Sequence, residues 1–306
     1  MSQLPTLAIT GGTGFIGQHL LRHAAAAGFE VRALTRKPQH PRPGLTWIEG
    51  SLEDAESLAR LVSRTEAVIH VAGAINAPSA QAFEAANVAG TLALVEAARG
   101  EGVQRFVHIS SLAAREPELS AYGASKARSE AIVAASPLAW SIVRPPAVYG
   151  VGDREMLELF RFARRGAVPL PPRGRLSLIA VDDLVRLFLM LAEARDEEPA
   201  IYEPDDGHRG GVSHAELARA LALAVGRKRV ATPALPRWLL KLIGRLDMWI
   251  RGENAKLTPD RVGYFCHPDW TSREDMQPPR TIWLPEIGLD RGLKDTADWY
   301  RAAKWL

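Results

Sequence analysis

The chain has 306 residues, of which 47% are hydrophobic and 24% charged, and its 38 basic and 35 acidic residues leave a net charge of +3. This composition is ordinary for a globular protein, and no run approaches the roughly 18 apolar residues that a membrane span needs. The slight, dispersed charge argues against a nucleic-acid partner and favours a small-molecule ligand. The opening residues MSQLPTLAIT do not resemble an export signal, and the single cysteine, Cys266, cannot form an internal disulfide, so we expect a cytoplasmic protein.

Up to residue 150, short β-branched runs alternate with longer Ala-rich stretches. This alternation predicts an α/β fold of the Rossmann type, a doubly wound parallel sheet covered by helices. Strands are predicted at residues 6–10, 30–34, 45–49, 67–71, 104–110 and 139–144. Helices are predicted at residues 14–27, 54–63, 80–99 and 121–135.

Beyond residue 150, helical stretches are separated by segments rich in proline and glycine, with short strand candidates at 176–181 and 200–203. We expect residues 1–150 to bind a dinucleotide and residues 151–306 to form a smaller α/β substrate lobe. This division allows a segment of residues 151–306 to add to the sheet of the first domain. Asp182 and Asp183 are interpreted as a helix start. The stripe of Leu235, Leu239, Leu242, Leu246 and Trp249 is expected in the core, with an apolar pocket or a membrane surface as alternatives. The pattern of residues 283–306 predicts an amphipathic helix that closes the chain, and its aromatic side chains are expected to pack against the protein rather than to bind a ligand.

The segment TGGTGFIG at residues 10–17 lies where the first predicted strand meets the first helix. Its glycines suit a dinucleotide-binding turn: Gly11 permits the tight turn, Gly14 lets a pyrophosphate come close, and Gly17 lets the helix pack on the strand. The first N–H groups of a helix and the positive end of its dipole favour an anion at this point. The segment therefore predicts a nicotinamide dinucleotide site.

The end of the second predicted strand distinguishes NADP from NAD. An acidic side chain there would bind the adenosine ribose, but the chain continues as Thr35, Arg36 and Lys37 without an acid. Arg36 offers a bidentate contact to a 2′-phosphate, so NADP is favoured and NAD is the alternative. A merely solvated loop is also consistent with these residue types.

Tyr122 and Lys126 are four residues apart in a predicted helix and therefore project from one face. A tyrosine is a poor base at its ordinary pKa near 10, but a neighbouring ammonium favours the phenolate and makes Tyr122 a candidate general acid or base. Ser110 and Ser111 lie at the carboxyl end of the fifth predicted strand, where ligands bind in such sheets. Ser111 is the favoured partner of the substrate oxygen, and Ser110 is the alternative. His19 and His23 lack the further ligands of a metal site, and no metal is expected.

These features together resemble the extended short-chain dehydrogenase/reductase family, also called the NAD-dependent epimerase/dehydratase family. The resemblance covers nearly the whole chain and is carried by TGGTGFIG at 10–17, HVAGA at 70–74, NVAGT at 87–91, HISS at 108–111, YGASK at 122–126, RPPAVYG at 144–150 and VDDL at 181–184. It implies that Ser111, Tyr122 and Lys126 are catalytic. It further implies a coenzyme site made of Gly11, Thr13, Gly14, Phe15, Ile16, Gly17, Arg36, Ser51, Leu52, Ala72, Gly73, Asn87, Ser110, Tyr122, Lys126 and Pro145, with Pro146 beside the nicotinamide.

Two departures from the family pattern bear on function. Ser51 stands where many relatives carry an Asp that reaches the adenine, and the acidic residue that nucleotide-sugar members carry after the second strand is absent. We therefore expect an NADP-dependent oxidoreductase that transfers hydride to or from a carbonyl or carbinol. The alternatives are a nucleotide-sugar epimerase or dehydratase with bound NAD, and a non-catalytic NADP-binding sensor or assembly protein. The resemblance leaves a homodimer open and does not identify the substrate.

Overall fold

A computed structural model of the chain describes residues 5–194, 198–252, 255 and 257–306. The chain forms two compact units. The first, here called the sheet unit, comprises Met1–Arg144, Leu184–Tyr202 and Thr281–Trp283, and the second comprises Pro145–Asp183, Glu203–Arg280 and Leu284–Leu306. The assignment of dinucleotide binding to the first part of the chain and substrate binding to the later part stays a prediction.

The sheet unit is built on seven strands that are all parallel. They are β1 (Leu7–Thr10), β2 (Val31–Thr35), β3 (Leu45–Glu49), β4 (Ala67–His70), β5 (Arg105–Ile109), β6 (Ala139–Val143) and β10 (Ala200–Tyr202). The order β10-β6-β5-β4-β1-β2-β3 makes the chain reverse direction across the sheet between β1 and β4, where ligands bind in doubly wound folds. The predicted Rossmann-type α/β fold is confirmed.

The helices of the sheet unit are α1 (Phe15–Ala27), α2 (Ala55–Val62), α3 (Ala80–Phe83), α4 (Gly90–Gly100), α5 (Ala121–Ala134) and, in its larger part, α7 (Val181–Glu193). Apolar residues of α2, α4 and α5, such as Leu58, Leu94 and Val133, pack on the sheet against Val68 and Phe106. Because β-branched and aromatic side chains of parallel strands are covered by helices, this layer is fully buried.

The prediction of a single regular α-helix at residues 80–99 is wrong in detail. A π-helical turn at Glu84–Ala89 separates α3 from α4. The wider turn contains Asn87, whose buried amide makes three hydrogen bonds outside its own helix. Because those bonds satisfy a buried amide, they offset the less regular backbone of the turn.

The second unit contains the short strands β7 (Ala147–Tyr149), β8 (Arg175–Leu176), β9 (Leu178–Ala180), β11 (Val212–Ser213) and β12 (Asp269–Trp270). Its helices are α6 (Leu157–Arg165), α8 (His214–Ala224), α9 (Arg237–Arg251), α10 (Pro259–Phe265) and α11 (Leu289–Ala302), together with the first residues of α7. Phe160, Leu217 and Tyr300 belong to its buried core. The predicted closing helix and its aromatic packing are confirmed, since the rings of Trp299 and Trp305 lie 4.9 Å apart.

The predicted helix start at Asp182 and Asp183 is confirmed, because α7 begins at Val181. Asp183 is buried, and its Oδ2 accepts the main-chain N–H groups of Glu286 and Ile287 at 2.9 and 2.8 Å. This carboxylate therefore ties the start of α7 to the segment that precedes α11.

The core expectation for the apolar stripe is wrong for its last three residues, whereas Leu235 and Leu239 are half-buried. Leu242, Leu246 and Trp249 of α9 are exposed, whereas Leu240 and Gly244 of the same helix are buried. Within the described part of the chain, no helix combines the length and the apolar content that crossing a bilayer requires.

Candidate active site

The glycine-rich turn joins β1 directly to α1. Gly11 has a φ of +74°, which L side chains rarely adopt, and a Cβ built on Gly17 would lie 2.0 Å from the carbonyl oxygen of Gly11. The fold of the turn therefore requires glycine at both positions, whether or not a ligand is bound. A Cβ on Gly14, by contrast, would come no closer than 3.4 Å to its nearest protein neighbour, the Gly11 oxygen.

The first turn of α1 presents main-chain N–H groups next to Gly14. Gly14 caps the helix without a side-chain hydrogen bond, and the first turn carries no acidic residue. Thr13 is exposed, and Phe15 and Ile16 are half-buried. The site is thus suited to an anion, which the helix dipole favours at this end.

The loop after β2 carries Arg36 and Lys37, and both side chains are exposed. Thr35 is buried, and its hydroxyl donates to the Lys37 carbonyl oxygen at 2.7 Å, which fixes the turn that follows the strand. After β3, Ser51 accepts a hydrogen bond from the Glu53 N–H at 3.3 Å.

A buried hydrogen-bond chain runs from the loop after β4 to Asn87. The Ala72 N–H donates to the Thr10 hydroxyl at 3.1 Å, and that hydroxyl lies 2.7 Å from Nδ1 of His70. Nε2 of His70 lies 3.0 Å from the hydroxyl of Thr91, which donates to the Asn87 carbonyl oxygen at 2.6 Å. Since the Thr91 proton is used for that bond, the Nε2–H tautomer of His70 satisfies every group in the chain.

His70 is neutral in this network. Burial, and to a smaller extent the charge of Lys126, lower its pKa to about 3. Its ring lies 5.3 Å from the ring of His108 on the adjacent strand β5, whose pKa is lowered well below the ordinary value by burial and then by His70 and Lys126. A protonated imidazole at either position would repel the nearby lysine, so both side chains serve as neutral hydrogen-bonding groups.

The side chain of Asn87 links two candidate segments. Its Oδ1 accepts the Ala74 N–H at 2.7 Å, and its Nδ2 donates to the Ala74 carbonyl oxygen at 3.0 Å and to Ser125 Oγ at 2.9 Å. Ser125 in turn donates to the main-chain oxygen of Tyr122 at 2.8 Å. Asn87 therefore holds the loop after β4 beside the first turn of α5.

Lys126 is almost fully buried and lies under the same loop. Its Nζ donates to the Ile109 carbonyl oxygen at 2.8 Å, and a Cβ built on Gly73 would lie 3.3 Å from Nζ and 3.0 Å from Asn87 Oδ1. Gly73 is exposed, so the ammonium sits directly below the accessible surface of the loop. Burial lowers the pKa of Lys126 to about 8, although Glu130 opposes the shift.

This shifted pKa predicts a pH dependence of stability. Between the folded pKa of about 8 and the ordinary value of 10.5, the unfolded chain holds a proton that the folded chain has released. The free energy of unfolding of the wild type is therefore expected to rise relative to that of Lys126→Met by about 3 kcal/mol across this window. Urea titrations of both proteins from pH 7 to 10.5 check this, and a difference that stays constant with pH contradicts it.

The two serines after β5 have different environments. Ser110 is buried and donates its hydroxyl to Glu130 Oε1 at 2.5 Å, and Arg144 holds the same carboxylate through Nε at 2.9 Å and Nη2 at 2.6 Å. Ser111 accepts the Ala113 N–H at 3.2 Å, an arrangement in which its own proton stays available for donation. Of the two serines, Ser111 is therefore the one whose hydroxyl proton is better placed for donation to a bound molecule.

Tyr122 and Lys126 both lie on α5, one helical turn apart. Ser120 caps this helix by accepting the Gly123 N–H at 3.0 Å, and the half-buried ring of Tyr122 lies 5.9 Å from the ring of Phe83. Pro145, which follows β6, is buried. The structure thus gathers Gly73, Asn87, Lys126 and the backbone of Tyr122 around one loop of the sheet unit.

Several positioning residues were not predicted from the sequence. They are Thr10, His70, Thr91, Ser125, Glu130 and Arg144, which hold the candidate residues through buried hydrogen bonds. All of them except Glu130 belong to the motifs quoted above, and Glu130 follows Lys126 by one helical turn. That spacing is the one signal in the sequence that connects Glu130 with the site.

Comparison with known proteins agrees with this geometry. The model of the NAD dependent epimerase/dehydratase family matches residues 7–203, which include the sheet, the glycine turn and α5. The chain belongs to this family. As a member, it is an NAD(P)-dependent oxidoreductase or epimerase of the extended short-chain dehydrogenase/reductase type.

Relatives within the epimerase/dehydratase family include both reductases and epimerases. The chain is 38% identical to the ceramide reductase of Caulobacter vibrioides, over 98% of this chain and 96% of that protein. It is 28% identical to the UDP-glucose 4-epimerase of Vibrio cholerae, over 95% and 94% of the two chains. Among solved structures, MoeE5 in complex with UDP-glucose and NAD is 25% identical and has a TM-score of 0.75, with 98% of this chain and 99% of that chain covered.

Proposed function

We propose that this protein is an NADP-dependent reductase that interconverts a carbonyl and a carbinol, with Tyr122 as the general acid and base. The observation that carries the proposal is the buried Lys126 ammonium on α5, one turn from Tyr122 and directly below Gly73. A coenzyme-binding module has no need of a buried lysine beside a tyrosine, whereas proton transfer does.

The residues present fit a dinucleotide. No protein atom would lie closer than 3.4 Å to a Cβ on Gly14, so the open space beside this glycine suits a pyrophosphate. The residues proposed to hold the coenzyme are Gly11, Thr13, Gly14, Phe15, Ile16, Gly17, Arg36, Ser51, Leu52, Ala72, Gly73, Asn87, Ser110, Tyr122, Lys126 and Pro145. When bound, the reduced nicotinamide supplies a hydride to the carbonyl carbon.

Tyr122 supplies the proton that completes the reduction. As the carbonyl carbon gains the hydride, its oxygen takes the phenolic proton of Tyr122, and a carbinol results. The Lys126 ammonium stabilises the phenolate left behind, and Ser111 donates a hydrogen bond to the substrate oxygen while charge develops on it. Oxidation of a carbinol follows the same steps in reverse.

Arg36 is proposed to select NADP over NAD. Its exposed guanidinium follows β2, and no carboxylate follows that strand to repel a 2′-phosphate. Arg36→Ala is expected to weaken NADPH binding by about 10- to 100-fold, the range of a charge-assisted hydrogen-bonded contact, and to change NADH binding by less than about twofold. Isothermal titration calorimetry with both coenzymes measures the two effects.

Lys37→Ala is the matched control, because Lys37 is the adjacent exposed cation in the same loop. It is expected to weaken NADPH binding much less than Arg36→Ala, since an ammonium lacks the two parallel donors of a guanidinium. Equal losses for NADPH and NADH in Arg36→Ala would show that Arg36 does not bind the 2′-phosphate.

The proposed substrate is a lipid carbonyl. Supporting this class is the similarity to the ceramide reductase, which at 38% exceeds the 28% identity to the epimerase. The test follows the loss of NADPH absorbance with long-chain 3-ketolipids and with short-chain ketones of the same functional group. We expect turnover of the long-chain compounds.

A second candidate function, nucleotide-sugar epimerisation with retained NAD, is favoured by one cavity of the second unit. It has a volume of about 570 Å³ and is lined in part by Arg173, Arg175 and His214. The two guanidinium groups suit a phosphate group. An epimerase would convert UDP-glucose to its 4-epimer without added coenzyme, whereas the proposed reductase consumes one NADPH for each product formed.

A further inference from the structure

The helix α9 exposes an unusual amount of apolar surface. Trp238 is 67% exposed, Trp249 85% and Ile250 71%, and Leu242 and Leu246 are 46% and 50% exposed. Exposed large apolar side chains are normal when they are scattered, but these five lie within thirteen consecutive residues of one helix. A contiguous patch of this kind indicates an interaction surface.

The spacing of these residues places them on one face. Trp238, Leu242, Leu246 and Trp249 follow at steps of four, four and three residues, which keeps them on one side of an α-helix. The buried residues Leu240 and Gly244 lie on the opposite side. The helix thus packs on its own unit through its narrow side and leaves its wide apolar face uncovered.

Basic side chains border the apolar face. Arg237, Lys241 and Arg245 are exposed and follow at steps of four residues, so they form a stripe along one edge of the face. The helix carries one further cation, Arg251, and a single acid, Asp247, and these two form an ion pair at 3.2 Å. The stripe therefore presents positive charge beside the apolar residues.

We propose that α9 lies in the surface of an anionic lipid bilayer, with its apolar face buried at the level of the lipid headgroups. Tryptophan at each end of the face is the residue type that favours this interface, and the cationic stripe is complementary to anionic headgroups. The proposal rests on α9 alone and not on the proposed function.

A second copy of the chain suits this surface less well. A two-fold dimer in which the two copies of α9 pack antiparallel through this face would bring the two stripes of Arg237, Lys241 and Arg245 together, and like charges at an interface are destabilising. An anionic bilayer satisfies the apolar and the cationic groups at once.

The experiment is flotation of the full-length protein with vesicles of phosphatidylcholine containing phosphatidylglycerol, and with phosphatidylcholine alone. We expect binding to the anionic vesicles and a loss of binding at high salt, because screening weakens the attraction to the headgroups. Trp238→Ser with Trp249→Ser, and separately Lys241→Glu with Arg245→Glu, are each expected to lower the partition coefficient by at least about tenfold.

Matched controls separate the helix from general surface effects. Leu92→Ser removes a 45% exposed leucine from α4, and Arg291→Glu reverses an exposed charge on α11. Both are expected to bind vesicles as the wild type does. Brominated lipids are further expected to quench tryptophan fluorescence in the wild type, and to quench it less in Trp238→Phe with Trp249→Phe, a variant that keeps the apolar face.

Three results would overturn the proposal. They are no flotation with anionic vesicles, flotation that the α9 substitutions leave unchanged, and a concentration-dependent dimer in lipid-free solution that the tryptophan substitutions abolish. Coenzyme binding by every variant, measured by calorimetry, confirms that the variant is folded and keeps a failure here distinct from a failure of the proposed reductase activity.

Discussion

Tyr122→Phe is expected to lower kcat by about 10²- to 10⁴-fold, the range that a positioned proton donor contributes. The substitution removes only the hydroxyl, and the ring keeps its contact with Phe83 at 5.9 Å. Thermal unfolding is therefore expected to change little, and coenzyme affinity is expected to fall far less than kcat. The measurement is steady-state turnover of NADPH with a ketone substrate, combined with calorimetric titration of the coenzyme.

Tyr264→Phe is the matched control. Tyr264 lies on α10 in the second unit, where its ring packs 4.7 Å from the ring of Trp270, so phenylalanine preserves the packing. It is expected to keep kcat within about twofold of the wild type, as surface and packing substitutions that conserve shape generally do. Full turnover by Tyr122→Phe would remove this tyrosine from the chemistry, even with the coenzyme site intact.

Gly14→Ala is expected to weaken coenzyme binding by about 10- to 100-fold, which corresponds to an overpacking cost of about 1–3 kcal/mol in the complex. The apo protein has room for the new methyl group, since its nearest protein neighbour would lie at 3.4 Å. The free energy of unfolding is therefore expected to fall by no more than about 1 kcal/mol, the cost of alanine at a helix N-cap.

Two further glycines sharpen this test. Gly17→Ala places a Cβ 2.0 Å from the Gly11 oxygen, so stability and coenzyme affinity are both expected to fall. Gly100→Ala, at the end of α4, meets no atom within 4 Å and is expected to change neither. If Gly14→Ala bound NADPH as tightly as the wild type, the pyrophosphate would not lie against this turn.

The sequence by itself determined the sheet and its opening turn. The spacing of Gly11, Gly14 and Gly17 between an apolar run and a helical stretch predicted the turn, because local backbone geometry and short-range packing dictate where glycine is needed. The alternation of short β-branched and longer Ala-rich segments was sufficient to predict the parallel sheet, since the residue pattern within each segment indicates a strand or a helix.

Only the tertiary structure decided which polar groups support the candidate site. Glu130 and Ser110 are 20 residues apart in sequence, and Thr10 and His70 are 60 apart, and each pair meets only because the strands and helices that carry them are packed together. Local sequence patterns likewise did not predict the π-helical turn at Asn87 or the exposure of the apolar face of α9. Amphipathic spacing shows that a helix has an apolar face, but burial of that face depends on what the rest of the chain places against it.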